Sequence, residues 1–137
     1  MPFLRKFTFS KQERLCRKKI IEQLFEKSKP FLSYPFRVFF EEAETESPFP
    51  VQVLLTVSKK NFRKASDRNL IKRRMKEAYR KNKHLLYESL GKENKRYALV
   101  LIYIAKDKME YQEMERKLIA TLQKITNYEL RITPNDK

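Results

Sequence analysis

The sequence predicts an α+β fold in which a single mixed β-sheet packs with three helices, within one domain spanning residues 1–137. Three observations lead there. Apolar residues recur at helical spacing in three segments. They alternate at strand spacing in Tyr34–Phe40 and Val51–Val57. The run Tyr97–Ile104 is nearly all apolar, as in a strand buried on both faces.

The elements follow in order. Ser10-Lys11-Gln12-Glu13 has the form of a capping box, in which serine and glutamate satisfy orphan backbone donors at a helix start. Behind it Cys16, Ile20 and Leu24 recur every fourth residue, with Ile21 and Phe25 alongside, so a first helix is expected to run until just before Pro30. Arg14, Arg17, Lys18 and Lys19 make its other flank basic. In the first strand Phe36, Val38 and Phe40 share one face, and Arg37 and Phe39 the other. Glu41–Pro50 is acidic, contains two prolines and reads as an exposed loop. The second strand, Val51–Val57, is expected to pair with the first as a hairpin.

Ser66 or Asp67 can cap a second helix with the apolar stripe Ile71, Met75, Ala78, Leu85 and Leu86, and Gly91 stands where it should stop. After the buried strand, Asp107 opens a third helix with Tyr111, Met114, Leu118, Leu122 and Ile125 on one side. Residues 127–137 read as a flexible tail.

Thirty-two Lys and Arg against seventeen Asp and Glu leave a net charge of +15. Self-repulsion of that size is relieved by a polyanion, which points to a nucleic acid more than to an anionic membrane. The single Cys16 fits a reducing compartment. No apolar stretch has the length of a signal peptide or a spanning helix, so a cytoplasmic protein without membrane or small-molecule substrate is expected. His84 is the only histidine, which excludes a histidine-based metal site or acid–base pair, and it is expected on a solvated helix flank. Gly91 is the only glycine, which excludes a glycine-rich phosphate loop. Cys16 reads as a small core residue, and Glu41, Glu42, Glu44 and Glu46 as a solvated cluster. No catalytic residue and no bound metal or cofactor is expected in the chain itself.

The charge is not spread evenly. Ser58–Lys83 holds twelve Lys or Arg and two acids, Asp67 and Glu77. On a helix Arg68, Lys72, Lys76 and Lys83 lie close to one row, with Arg73 and Arg80 on the adjoining row, opposite the apolar stripe. Like charges at this spacing repel by a few tenths of a kcal/mol per pair, about the inverse of a favourable pair. An RNA backbone accounts for such a row through phosphate contacts and counterion release.

Thr56-Val57-Ser58-Lys59-Lys60, followed by Arg68-Asn69-Leu70-Ile71-Lys72-Arg73 and Glu77-Ala78, resembles the signature of the bacterial ribonuclease P protein family. Phe9-Ser10-Lys11 and Glu13-Arg14-Leu15 resemble the lead-in to the family's first helix, and the order of elements matches through Ile125. Two departures stand out. Leu70 replaces an arginine usual in the family, a loss that Arg74 could offset. The lead-in 61–67 also differs from the short run common there.

The resemblance implies a subunit of a ribonucleoprotein that removes the 5′ leader of precursor tRNA, with the catalytic RNA and precursor tRNA as partners. It implies RNA binding by Arg68, Asn69, Lys72, Arg73, Lys76 and Arg80. It also implies a leader cleft lined by Ile21, Phe25, Arg37, Phe39, Ser58, Lys59 and Lys60, although Ile21, Phe25 and Phe39 equally suit a core. Aromatic faces stack on bases without sequence preference and cations follow phosphates. The active site, and the Mg²⁺ it requires, would belong to the RNA. The resemblance further implies a left-handed crossover between Val51–Val57 and Tyr97–Ile104, against the usual right-handed rule. The competing reading is a structural RNA-binding protein, such as a ribosomal protein or RNA chaperone, without leader recognition. A DNA-binding module lacks a helix-turn-helix or zinc-ligand pattern.

Overall fold

The computed structural model describes residues 9–91 and 95–135, with side chains of the last helix through residue 127. Four strands form one sheet: β1 (Phe31–Ser33), β2 (Phe36–Glu42), β3 (Val51–Val57) and β4 (Tyr97–Tyr103), in the spatial order β1-β2-β4-β3. The helices are α1 (Lys18–Lys27), α2 (Ala65–Asn82), α3 (His84–Leu90) and α4 (Tyr111–Asn135). The α+β architecture with a mixed sheet is the one the sequence predicts.

β4 takes a central place because it is apolar on both faces, so helices cover it from each side. On one face Leu99 and Leu101 join Phe36, Val38, Phe40, Val53 and Val57 in the main core, closed by Ile71, Met75 and Ala78 of α2, Leu86 and Leu90 of α3, and Met114, Leu118, Leu122 and Ile125 of α4. On the other face Ala98 and Val100 join Phe39, Leu15 and Leu24, the last from α1.

Strand pairing differs from the expected hairpin. β2 and β3 are not neighbours: β4 lies between them, antiparallel to β2 and parallel to β3. The actual hairpin is β1–β2, turned at the cis Tyr34–Pro35 peptide, with Leu32 opposite Arg37. A strand of three residues is too short to show a period, so β1 was not legible.

The capping box forms, but it does not open a helix. The Glu13 carboxylate accepts the Ser10 backbone N–H at 2.8 Å and its hydroxyl at 3.1 Å, closing only a 3₁₀ turn at Lys11–Glu13. The chain then runs extended, because the Leu15 N–H bonds the Val53 carbonyl at 2.9 Å beside an Arg14–Val53 bridge. α1 starts only at Lys18, and Cys16, expected in a helical core row, is exposed on the extended arm.

The second helix resolves into two, making four helices rather than three. The N-cap of α2 is Lys64, two or three residues before the expected caps Ser66 and Asp67. It ends at Asn82, and Lys83 turns inward as the joint to α3. Lys83 therefore leaves the exposed row assigned to it: its side chain is 2% exposed. His84 at the start of α3 is half-buried rather than solvated. Gly91 caps α3 as expected. α4 starts at Tyr111 instead of Asp107 and continues past Asn127 to Asn135, where a tail is expected; residues 136 and 137 lie outside the described residues.

Candidate nucleic-acid interface

The lead-in to α2 is built as a fixed loop. The Ser58 N–H bonds the Tyr103 carbonyl at 3.1 Å, and the Phe62 N–H bonds the Ser58 carbonyl at 3.3 Å. The Asn61 amide donates to the Ile104 carbonyl at 2.8 Å, while Phe62 is buried near the Tyr103 ring. These anchors hold Ser58 half-buried and leave Lys59 and Lys60 exposed at the end of β3.

The bases of α2 then sort into three groups. Arg68 donates from its guanidinium to the Phe62 and Arg63 carbonyls, both at 2.8 Å, so it closes the loop onto the helix. Arg74 is half-buried and donates to the Met109 carbonyl at 2.6 Å, tying α2 to the segment before α4. It is therefore directed away from any offset for Leu70. Arg80 is gripped by Glu77 at 2.6 Å, with Lys81 at 4.0 Å from the same carboxylate. The hydrogen bond from Arg80 holds the Glu77 carboxyl below its usual range, and the Glu77 bond raises Arg80 in turn. The third group, Lys72, Arg73 and Lys76, is exposed, and among the described residues none of the three pairs with a carboxylate. Asn69 is exposed beside them. Within the expected phosphate row, Asn69, Lys72, Arg73 and Lys76 are exposed, Arg80 is shared with Glu77, and Arg68 also bonds backbone carbonyls.

Opposite this flank stands the extended arm. Arg14 lies 5.7 Å from the Phe9 ring centroid and Lys76 lies 5.9 Å from it, while Phe9 meets Tyr79 edge-on at 5.6 Å. The arm and α2 border a groove of about 430 Å³ over β3. Sequence reasoning missed Arg14 and Phe9 here because it placed Arg14 on a helix flank; the Arg14–Val53 bridge that moves it is a non-local contact.

On the other face, α1 divides the sheet. Its Ile20–Gln23–Lys27 side, with Leu24, borders a hollow with Glu41, Glu42, Glu44 and Ala98. Its other side presents Phe25, which is 44% exposed and packs edge-on against Phe39 at 4.7 Å. Strand register puts Leu32, Arg37, Ile102 and Thr56 in one cross-strand row, next to the row Phe39–Val100–Leu54. Leu32 and Arg37 in that row are exposed. Of the expected leader residues, Phe25 and Phe39 touch and Arg37 lies in the neighbouring register row, while Lys59 and Lys60 follow the end of β3. Ile21 is half-buried and packs with Phe39, which is 9% exposed, in the second core, while Phe25, Arg37, Lys59 and Lys60 are exposed. Among the described residues no group of three or more His, Cys, Asp or Glu side chains could hold a metal ion, and no helix is long and apolar enough to cross a membrane.

Known proteins share this fold. The family model described as Ribonuclease P matches residues 9–126. A ribonuclease P protein component from Porphyromonas gingivalis is 36% identical over 120 residues, covering 87% of each chain. The structure of the ribonuclease P protein from Thermotoga maritima superposes with a TM-score of 0.63 at 23% identity, over 82% of this chain and 96% of that one. The Staphylococcus aureus ribonuclease P protein gives 0.62 at 18%, over 82% and 94%.

Proposed function

The chain belongs to the bacterial ribonuclease P protein family, as a protein component of an RNA-based endoribonuclease, and from that membership we propose how it works. It binds the catalytic RNA through the open flank of α2 and the single-stranded 5′ leader of precursor tRNA through the cleft beside α1. The observation that carries this reading is the sorting of charge. Glu77, Asp67 and Glu13 take Arg80, Lys108 and Lys83, yet among the described residues Lys72, Arg73 and Lys76 are left without carboxylate partners. Cations left uncompensated on one flank favour a polyanion, and each phosphate they neutralise releases a counterion.

In this reading the RNA performs the cleavage in the cytoplasm, and the Mg²⁺ ions are held by the RNA and the substrate phosphates. The protein positions. Phe25 offers an aromatic face to an unstacked base of the leader, and Arg37, Lys59 and Lys60 neutralise the phosphates beside it. The Glu41–Glu44 hollow across α1 repels RNA, so the strand stays on the Phe25 side.

The test uses the protein with its cognate catalytic RNA. The purified chain alone is expected not to cleave precursor tRNA. Assembled with the RNA, it should lower the Mg²⁺ requirement and bind leader-bearing tRNA more tightly than mature tRNA. Equal affinity for both would remove the leader cleft and leave only a structural RNA-binding role.

A further inference from the structure

β3 is an edge strand whose outer side is filled over only part of its length. The Val53 carbonyl accepts the Leu15 N–H at 2.9 Å, so the arm is itself a parallel strand added at that point. Backbone groups alternate between the two sides of a strand. The Tyr97 N–H bonds the Pro50 carbonyl and the Ser58 N–H bonds the Tyr103 carbonyl, which turns the even-numbered residues of β3 toward β4. Val53 and Leu55 therefore turn their N–H and C=O groups outward. Past Leu15 the arm leaves for α1, and among the described residues no backbone bond reaches Leu55 from the outer side. An unfilled N–H and C=O on a sheet edge are a template for one more extended chain.

The side chains around this slot set what such a chain must carry. Leu54 and Leu55 flank it from opposite faces of the sheet. Leu55 packs on the main core under α2, and Leu54 packs on the second core with Leu15. Arg14, bridged to Val53, lies on the α2 face, where it shares the Phe9 ring with Lys76. Lys72 and Arg73 line the same groove. These bases are exposed, and among the described residues none has a carboxylate partner. Glu13 beside Arg14 does not relieve them, since it is buried and paired with Lys83. One face of the slot is cationic and the other is apolar.

An extended peptide puts alternate side chains on opposite faces, and its backbone brings a donor and an acceptor together. A phosphate brings acceptors alone and leaves the Leu55 carbonyl bare. We propose that this slot takes an extended segment of a partner protein, with acids at alternate positions and apolar residues between them. Its backbone pairs with Leu55, its carboxylates lie among Arg14, Lys72, Arg73 and Lys76, and its apolar residues face Leu54. Since the α2 flank is also read above as a contact for the catalytic RNA, such a partner competes with that RNA.

The probe is a short peptide alternating glutamate and valine, added to the full-length, unmutated protein. One control has the same composition with the glutamates in a single block; the other keeps the sequence but carries N-methylated amides. Both controls are expected to bind about tenfold more weakly, close to the worth of two backbone hydrogen bonds. The alternating peptide should also slow hydrogen exchange at the Leu55 amide, read by NMR. Equal affinity for all three peptides reduces the slot to a patch of charge and overturns the inference. Exchange at Leu55 that the catalytic RNA slows and the peptide does not gives the slot to RNA and overturns it as well. Displacement of the bound peptide by the catalytic RNA is followed in parallel. A peptide that protects Leu55 and is not displaced supports the slot and counts against the RNA reading of the α2 flank.

Discussion

Glu13 and Lys83, 70 residues apart in sequence, form a fully buried ion pair, and the Tyr87 hydroxyl donates to the same carboxylate at 2.6 Å. Burial pushes the Tyr87 phenol far above its usual range, so it remains protonated and serves as a donor. This pair ties the arm to the α2–α3 joint, and so holds one bank of the groove against the other.

Breaking the pair from one side should be costly. Glu13→Gln or Lys83→Met leaves one buried charge unmatched and is expected to lower stability by about 3–5 kcal/mol. Replacing both together should recover most of the loss, because neither charge then needs desolvating. Urea unfolding of the three variants measures this; additive losses would show that the pair does not act as a unit.

Lys72→Ala and Arg73→Ala should weaken binding to the catalytic RNA while leaving the melting temperature within a degree or two, roughly the range of exposed substitutions. Each should flatten the plot of log affinity against log salt by about 1. Arg74→Ala is the contrast. It removes a charge-assisted bond to the Met109 carbonyl, so its main effect should be on stability, by about 1.5–3 kcal/mol. Salt titrations and thermal melts on the same preparations separate the two behaviours.

Glu77 restrains Arg80 and Lys81. Glu77→Gln is expected to remove that carboxylate's charge from beside both and to steepen the salt dependence by about one phosphate contact. The pH dependence has a definite sign. The Glu77 carboxyl is lowered in the fold, so the contribution of its pair is present above the ordinary carboxylate range and is lost as pH falls through the lowered value. Acid titration of wild type should therefore show a small loss of stability that Glu77→Gln lacks.

Phe25→Ala is the sharper probe of the cleft. Phe39 is 9% exposed, so its truncation disturbs the core, whereas Phe25 is nearly half exposed. Phe25→Ala should weaken binding of leader-bearing tRNA by about 1–3 kcal/mol, the range for one base–aromatic stack, and leave mature tRNA unaffected. Binding assays on the assembled ribonucleoprotein with both substrates decide it; equal losses on the two would place Phe25 outside the leader path.

Local patterns were legible wherever a period lasts long enough to repeat. Val51–Val57 alternates and is β3; Met114, Leu118, Leu122 and Ile125 recur every three or four residues and line α4. The resemblance at Ser58–Lys60 and Arg68–Arg73 located both candidate surfaces. What failed were inferences in which a distant partner overrides a local signal. Ser10–Glu13 has a genuine capping box, yet the Val53 carbonyl and Lys83 draw that segment out of a helix. The basic row of α2 showed its charges but not their commitments.

The amino-acid sequence by itself determined the elements, their apolar faces and the excess of positive charge, because each of these depends on residue type and spacing along a few turns or one strand. The tertiary structure alone decided that β4 separates β2 from β3, that Lys83 is buried on Glu13, and that Lys72, Arg73 and Lys76 stand beside the arm without a carboxylate partner among the described residues. Those outcomes depend on which groups meet across the fold, where desolvation and pairing are settled between residues that the chain order keeps far apart.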